Sequence, residues 1–490
     1  MRSSGRGAER VDLDHLDWVE DAPRRRRSGD DRRAADRRAS AGKAPAAERR
    51  AAERRASAER RASSSAGAGG ARATAAEAAP RAAARRPKAP APGATLGPGV
   101  AERRTLMLVT FLLVVYGLVM AYSASAAEAY FEYGNSFYYF ARQALWVVLG
   151  VAAMGVLARV DYAWYRKVAV PFACLALAGL VLVLVPGLGT SINGARRWLI
   201  VGGQSLQPSE FAKLAAVVLI ASLIVKRPRQ VLELKGFLRL VVIGIVPAAG
   251  LIMLEPDLGT TLVLVTAVVT VLVAAGAPLR YLFGLVVAGV SAVLALIVVE
   301  PYRLERLMTF FDPWKDPQDT GYQATQSLIS IASGRVFGVG LGNSVQKFGF
   351  LPEQTTDMIT GIIGEELGLV GLLVLLALYV ALAWACFRIA LDCKDLFGKL
   401  LATGITAIVI GQAGINVGAA LGLVPLTGVP LPLVSVGGTS MLVVLAGLGI
   451  LLNIATNRRS HIAVSTPRRD RASGGGGDRR SPAAGSRRRG

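Results

Sequence analysis

The sequence is poor in the residues that carry most acid–base and metal chemistry. It has two histidines, His15 and His461, both in Arg-rich segments outside the apolar part of the chain. An imidazole base or imidazole-bound metal is thereby excluded from the apolar core, and proton transfer there must use carboxylates. Of the three cysteines, Cys174 and Cys386 fall in apolar runs and Cys393 in a short charged segment. Their spacing fits neither a disulfide framework nor a zinc site. No Walker A pattern or strand-borne glycine fingerprint occurs. A substrate would therefore have to bring its own activation. The chain is strongly basic, with a net charge of +22, yet no nucleic-acid-binding motif accompanies the cations.

What is abundant is apolar length. The 490 residues are 52% hydrophobic, and runs of about 20 apolar residues are the mark of membrane-crossing helices. About ten such runs are predicted: 106–126, 138–158, 168–186, 208–225, 237–254, 259–275, 280–300, 358–390, 399–423 and 438–456. The expected fold is an all-α integral membrane protein with a large loop, 301–357, between the seventh and eighth spans. Residues 423–437 are apolar but broken by prolines, which suits backbone buried in protein or lining a cavity. Residues 1–104 and 458–490 are rich in Arg, Ala, Ser and Gly without an apolar face, and are expected to be disordered. No apolar stretch near the start reads as a signal peptide.

Lys and Arg mark the side on which loops lie. They gather at Arg159–Lys167, at Lys226–Lys235, at Arg280 and at Arg388–Lys399. The segments 127–136, 255–258 and 424–437 have neither residue. This asymmetry predicts cytoplasmic termini, with 187–207, 255–258, 301–357 and 424–437 on the outer face. Basic tails of this kind can also touch anionic lipid.

The candidate chemistry clusters in those outer segments. Asp357 stands where the long loop becomes the eighth span. It is a functional carboxylate at a membrane boundary, the cap of the helix that follows, or both. Glu353, Arg335 and Lys347 precede it in the same loop. The two cations are candidates for an anionic headgroup or for ordinary lipid contact. Arg196 and Arg197 offer the planar fork suited to phosphate. Trp198 can anchor at the interface or stack on a sugar. Glu210 and Lys213 share one side of a helix opening at Pro208, as candidates for substrate binding, Lys213 for an anionic headgroup, or as an internal pair. Asp257 reads mainly as a helix cap, Ser435 precedes a glycine pair, and SLISIASG reads as an interfacial helix.

Six motifs, NGARRWL, QPSEFAKL, EPDLGTT, GVGLGNSVQKFGFLPEQTTD, GEELG and PLPLVSVGGTS, occur in the order found in the SEDS family (shape, elongation, division and sporulation; FtsW/RodA/SpoVE). Residues 105–457 resemble that family throughout, and GNSVQK with PEQTTD resembles its division type. The resemblance implies ten membrane helices and polymerisation of lipid II into glycan strands on the outer face of the bacterial cytoplasmic membrane, at the division septum. It implies Asp357 as the catalytic residue, a functional role for Trp198 and a divalent cation, Mg²⁺ or Mn²⁺. The implied partners are a class B penicillin-binding protein that cross-links the product and other divisome membrane proteins. Thr355, Val436 and Glu255 stand where the family often has His, Tyr and Gln. A lipid II flippase and a non-catalytic division scaffold are the alternative functions.

Overall fold

The computed structural model describes residues 100–457 apart from 193 and 300. Both expected tails lie outside the described residues but for 100–104, which open the first helix. The helices are α1 (Val100–Tyr133), α2 (Tyr138–Leu157), α3 (Tyr165–Leu184), α4 (Pro208–Lys226), α5 (Leu234–Gly244), α6 (Val246–Leu254), α7 (Leu258–Ala274), α8 (Leu279–Val299), α9 (Pro301–Phe311), α10 (Tyr322–Ser333), α11 (Ile359–Asp392), α12 (Leu396–Ala420) and α13 (Gly438–Thr456). Among the described residues eight helical spans are long and apolar enough to cross a membrane, counting α5 and α6 as one. Two shorter apolar helices, Leu258–Ala274 and Leu279–Ala295, fall on the sixth and seventh predicted runs. Helix α13 packs on α2, α3 on α4, α12 on α7, and α11 on α1 and α12. The most enclosed members are α4 and α13. Apolar side chains on their whole circumference leave them no solvent or lipid face, as a central helix requires.

One small sheet interrupts the helical pattern. Strands β1 (Gly189–Ile192), β2 (Ala195–Val201) and β3 (Gln204–Leu206) pair antiparallel in that order. The segment 187–207, expected as loop, is thus partly strand. Its turn is Gly202–Gly203, both at positive φ (58° and 75°), and a two-residue Gly-Gly turn matches the twist of a hairpin.

The eighth run holds the least regular backbone. Helix α11 is broken at Gly368, where φ is 63° and ψ −160°. An unbroken helix would bond Leu369 N–H to the Glu365 carbonyl and Val370 N–H to that of Glu366. Both rungs are replaced by the loop that precedes the helix. Leu369 and Val370 donate to the Arg335 and Val336 carbonyls (2.9 and 3.1 Å), while the Glu365 and Glu366 carbonyls accept from Val339 and Gly340 (2.9 and 3.0 Å). Helix α10 rests on the same arm of α11. It turns hydroxyls inward, Ser330 to the Gly361 carbonyl (2.9 Å) and Ser327 to the Ala420 carbonyl (3.0 Å). The helix expected at the interface is therefore seated on protein by its polar face.

At Gly338, φ is +78° and an added Cβ would lie 2.1 Å from the Glu366 carbonyl oxygen. Gly338→Ala is expected to destabilise the protein by about 1–3 kcal/mol or more, read as a lowered unfolding midpoint in detergent.

Candidate functional site

Asp357 sits half-buried at the mouth of α11. The N-cap position falls to Met358, whose side chain makes no capping bond. Asp357 therefore stands one residue before the N-cap. The segment carrying it is held carbonyl by carbonyl. Val436 N–H donates to Thr355 O (2.9 Å), the Ser435 hydroxyl to Thr356 O, and the Asn416 amide to Asp357 O (2.8 Å). Asn416 also donates to Val429 O and accepts from the Thr360 hydroxyl. The irregular segment 425–437 thus clamps the residues just before α11. Gly428, at φ +70°, brings bare backbone beside the carboxylate, since a Cβ there would lie 3.4 Å from Asp357 Oδ2.

A cavity of about 1800 Å³ opens at this carboxylate. Arg197, Trp198, Glu353, Thr355, Thr356 and Asp357 line it together. From there the lining follows α7 from Leu258 to Thr270, about 18 Å of helix. Val246, Ala249, Leu262, Val265, Val290 and Val293, from α6, α7 and α8, make that stretch an apolar trough. One cavity therefore joins a charged head to a greasy tail.

Arg197 guards the head of the trough. Its Nε donates to the Glu255 carbonyl (2.9 Å) and its Nη2 to that of Pro256. Asp257 caps α7 through Thr260 N–H (2.9 Å), as its position in the sequence predicts. Glu255 is fully buried, and neither carboxylate oxygen has a partner among the described residues. Burial, with Asp257 adding to it and Arg197 opposing, pushes its carboxyl up to about 8.

The remaining candidates from the sequence part ways with this cavity. Arg196 is exposed on β2 and Arg335 is exposed beside the break in α11; neither lines the cavity. Lys213 is fully buried, bonded to Glu210 (2.8 Å) and Gln412 (2.9 Å). Lys347 is buried too, paired with Glu366 (3.3 Å) and bonded to the Gly342 carbonyl. Both lysines answer internal carboxylates, so a headgroup role is not where the structure puts them. Ser435 is 3% exposed and spends its hydroxyl on backbone. Glu365, left without a role by the sequence, gathers Ser344 Oγ and the N–H groups of Val345 and Gln346. Among the described residues no group of three or more His, Cys, Asp or Glu side chains could cage a metal. Sequence reasoning also missed Gln412 and Asn416. Their signal was two amides four residues apart in an apolar run, hence on one helix face.

A membrane-embedded helical protein with an acidic site at the head of an apolar trough is the class these features define. The family model described as "Cell cycle protein" (FtsW/RodA/SpoVE) matches residues 103–460, and the chain belongs to that family. It is 40% identical to stage V sporulation protein E of Bacillus subtilis, over 72% of this chain and 97% of that one. It is 43% identical to "Probable peptidoglycan glycosyltransferase FtsW" of Thioalkalivibrio sulfidiphilus, over 74% and 92%. A chain of a solved peptidoglycan synthase complex superposes with TM-score 0.61 at 30% identity, covering 72% and 98%. RodA of Thermus thermophilus gives 0.54 at 29%, covering 72% and 96%.

Two outcomes are expected. Lys213→Met would leave the Glu210 carboxylate buried without its cation and cost about 3–5 kcal/mol. Adding Glu210→Gln should return most of that, both read as unfolding midpoints. Glu255, with an ordinary value of 4.5 raised to about 8 in the fold, binds its proton more tightly folded than unfolded. Its share of stability is whole below the ordinary value and is lost as pH rises towards 8. Glu255→Gln should flatten the fall of unfolding midpoint between about pH 5 and pH 8.

Proposed function

We propose that this chain is a peptidoglycan glycosyltransferase that polymerises lipid II, with Asp357 as the general base. The observation that carries this reading is the single cavity joining Asp357, Arg197 and Trp198 to an apolar trough. A lipid-linked disaccharide diphosphate has the same order of parts: polyprenyl chain, anion, sugars. The trough takes the chain, Arg197 faces the diphosphate with the N–H groups it does not give to carbonyls, and Trp198 offers a ring face to a sugar.

The reaction forms a bond from the acceptor 4-hydroxyl oxygen to the donor anomeric carbon. It breaks the bond from that carbon to the diphosphate oxygen, which leaves with the electron pair. The donor is α-linked and the product β-linked, so one in-line displacement suffices. Asp357 takes the hydroxyl proton. The leaving group is already an acid anion and needs positive charge more than a proton, which Arg197 supplies. Since the described residues build no metal cage, Mg²⁺ or Mn²⁺ belongs in this reading to the diphosphate and not to a resident site. The expected setting is the outer face of the cytoplasmic membrane at the septum, with both termini cytoplasmic. The expected partner is a class B penicillin-binding protein, in keeping with the synthase complex among the structural relatives.

The test is polymerisation by the purified full chain with its transpeptidase partner, in detergent with lipid II and Mg²⁺ or Mn²⁺. Wild type should make polymer, and Asp357→Asn should lower the rate by about 10²–10⁴-fold with an unchanged unfolding midpoint. Equal rates for the two proteins would remove Asp357 from the reaction. Lipid II moved across liposomes without polymer would favour transport.

A further inference from the structure

One buried carboxyl beside the cavity has no part in the steps above. Glu255 closes α6 and stands one residue before the lining, which takes up at Pro256 and continues at Leu258. It is fully buried, and neither carboxylate oxygen has a partner among the described residues. Its main-chain carbonyl, by contrast, is engaged. Arg197 Nε donates to it (2.9 Å), and Arg197 Nη2 donates to the next carbonyl, that of Pro256. Arg197 thus bonds the backbone of the turn and not the carboxyl that the turn buries. A buried carboxyl without hydrogen bonds is far less costly as the neutral acid than as an isolated anion.

Among the described residues two charged groups act on Glu255: Asp257 opposes its ionisation and Arg197 favours it. Asp257 is itself occupied, accepting from Thr260 N–H (2.9 Å) and from the Gln207 amide (3.4 Å). Helices α3, α4, α5 and α7 pack on α6. Of these, α7 carries no charged residue, and Glu210 and Lys213 of α4 are paired with each other (2.8 Å). The cations of α3 and α5 lie in the first two turns of those helices, and Lys226 in the last turn of α4, the ends remote from this turn.

We propose that Glu255 is a positioning residue for Arg197: as the neutral acid it leaves the guanidinium on the turn carbonyls at the head of the trough, and as an anion it draws that guanidinium off the headgroup. The inference rests on the polymerase reading for the identity of the headgroup. An ionised Glu255 must be met by a cation, since a buried charge left alone is strongly destabilising. Arg197 is the cation whose charge already reaches it. The same guanidinium cannot both answer a buried carboxylate and present its free N–H groups to a diphosphate. Burial raises the carboxyl to about 8, so the neutral form prevails near pH 7 and the anion near pH 9. Gln, the residue often found at this place in the family, has the shape of the neutral form and cannot ionise.

Infrared titration of the full chain in detergent tests the coupling. Between about pH 7 and about pH 9, wild type should lose a protonated-carboxyl band that Glu255→Gln lacks at every pH. Arg197→Gln removes the cation that favours the anion, so it should move that loss to higher pH; an unmoved midpoint overturns the coupling. Lipid II tests the consequence. In equilibrium binding of labelled lipid II to full-length Asp357→Asn with Mg²⁺, affinity should fall about tenfold from pH 7 to pH 9, and adding Glu255→Gln should abolish the fall. In turnover with the transpeptidase partner, kcat/KM of wild type should bend down above about pH 8, and that of Glu255→Gln should not. A merely structural Glu255 would change the rate by the same factor at each pH and leave the bend in place. A bend common to both proteins overturns the proposal and leaves the polymerase reading intact. The infrared coupling and the pH-dependent binding, in a chain that makes no polymer, would uphold the proposal and sink the polymerase. Lipid II bound at neither pH would sink both.

Discussion

The break at Gly368 sets the terms for the rest of the molecule. A helix inside a bilayer satisfies its own backbone, and each group left open there costs several kcal/mol. Interrupting α11 opens two rungs, and the loop from Arg335 to Gly340 closes both by trading four hydrogen bonds with the helix. The loop cannot leave without exposing all four groups at once. Side chains fasten it further, with Glu365 gathering the amides and hydroxyl of 344–346 and Glu366 pairing with Lys347. A segment of chain that would otherwise be a mobile connection is spliced into a helix.

That splice explains how a loop can hold in place the carboxylate proposed as the base. Asp357 lies between the spliced loop and the first turn of α11, and its peptide segment is gripped from the other side by Asn416, Ser435 and Val436. Base catalysis needs a carboxylate fixed to within a fraction of an ångström. Here the position is fixed through backbone carbonyls, and Asp357 lines the cavity. The buried ionic pairs behave differently. Lys213 with Glu210 and Lys347 with Glu366 fasten helix to helix and loop to helix. Pairs so buried add little net stability but punish any change that leaves one member alone.

The division between pairing charges and lining charges is what the sequence shows least. Apolar runs match the helices to within three residues, except at α1, which extends six and seven residues further, and at 237–254, which is two helices; burial in lipid demands length and hydropathy that little else in the chain imitates. Asp357, Arg197 and Trp198 were legible as candidates because they flank those runs. Lys213 and Lys347 looked equivalent to Arg197, since all are cations near a boundary, and only packing distinguishes a lysine facing Glu366 from an arginine facing a cavity. The hairpin of β1 to β3 hides behind its shortness, though the Gly202–Gly203 pair was its signal. The α2 wall of the cavity was missed for another reason. Tyr139, Arg142, Gln143 and Trp146 line the cavity but sit inside an apolar run, where helical spacing shows that they share a face but not which neighbour the face meets.

Charge balance in the cavity bears on how an anionic substrate enters it. Glu128, Glu132, Glu353 and Asp357 line it against Arg142 and Arg197, so carboxylates outnumber guanidiniums by two to one. A bare diphosphate would meet net repulsion at the head of the trough, in surroundings where charges are poorly screened. In the reaction proposed above, the compensating charge arrives on the diphosphate. In the proposed reaction a divalent cation carried this way serves entry first, by making the headgroup nearly neutral. Arg197 then orients the headgroup and adds its own charge to that of the cation as the diphosphate leaves. The surplus of carboxylates also guards against a free anion lodging beside Asp357, because a phosphate without its cation is repelled while the lipid-borne complex is drawn in by its chain. The same excess of negative charge that opposes an unaccompanied substrate keeps the site open for the accompanied one.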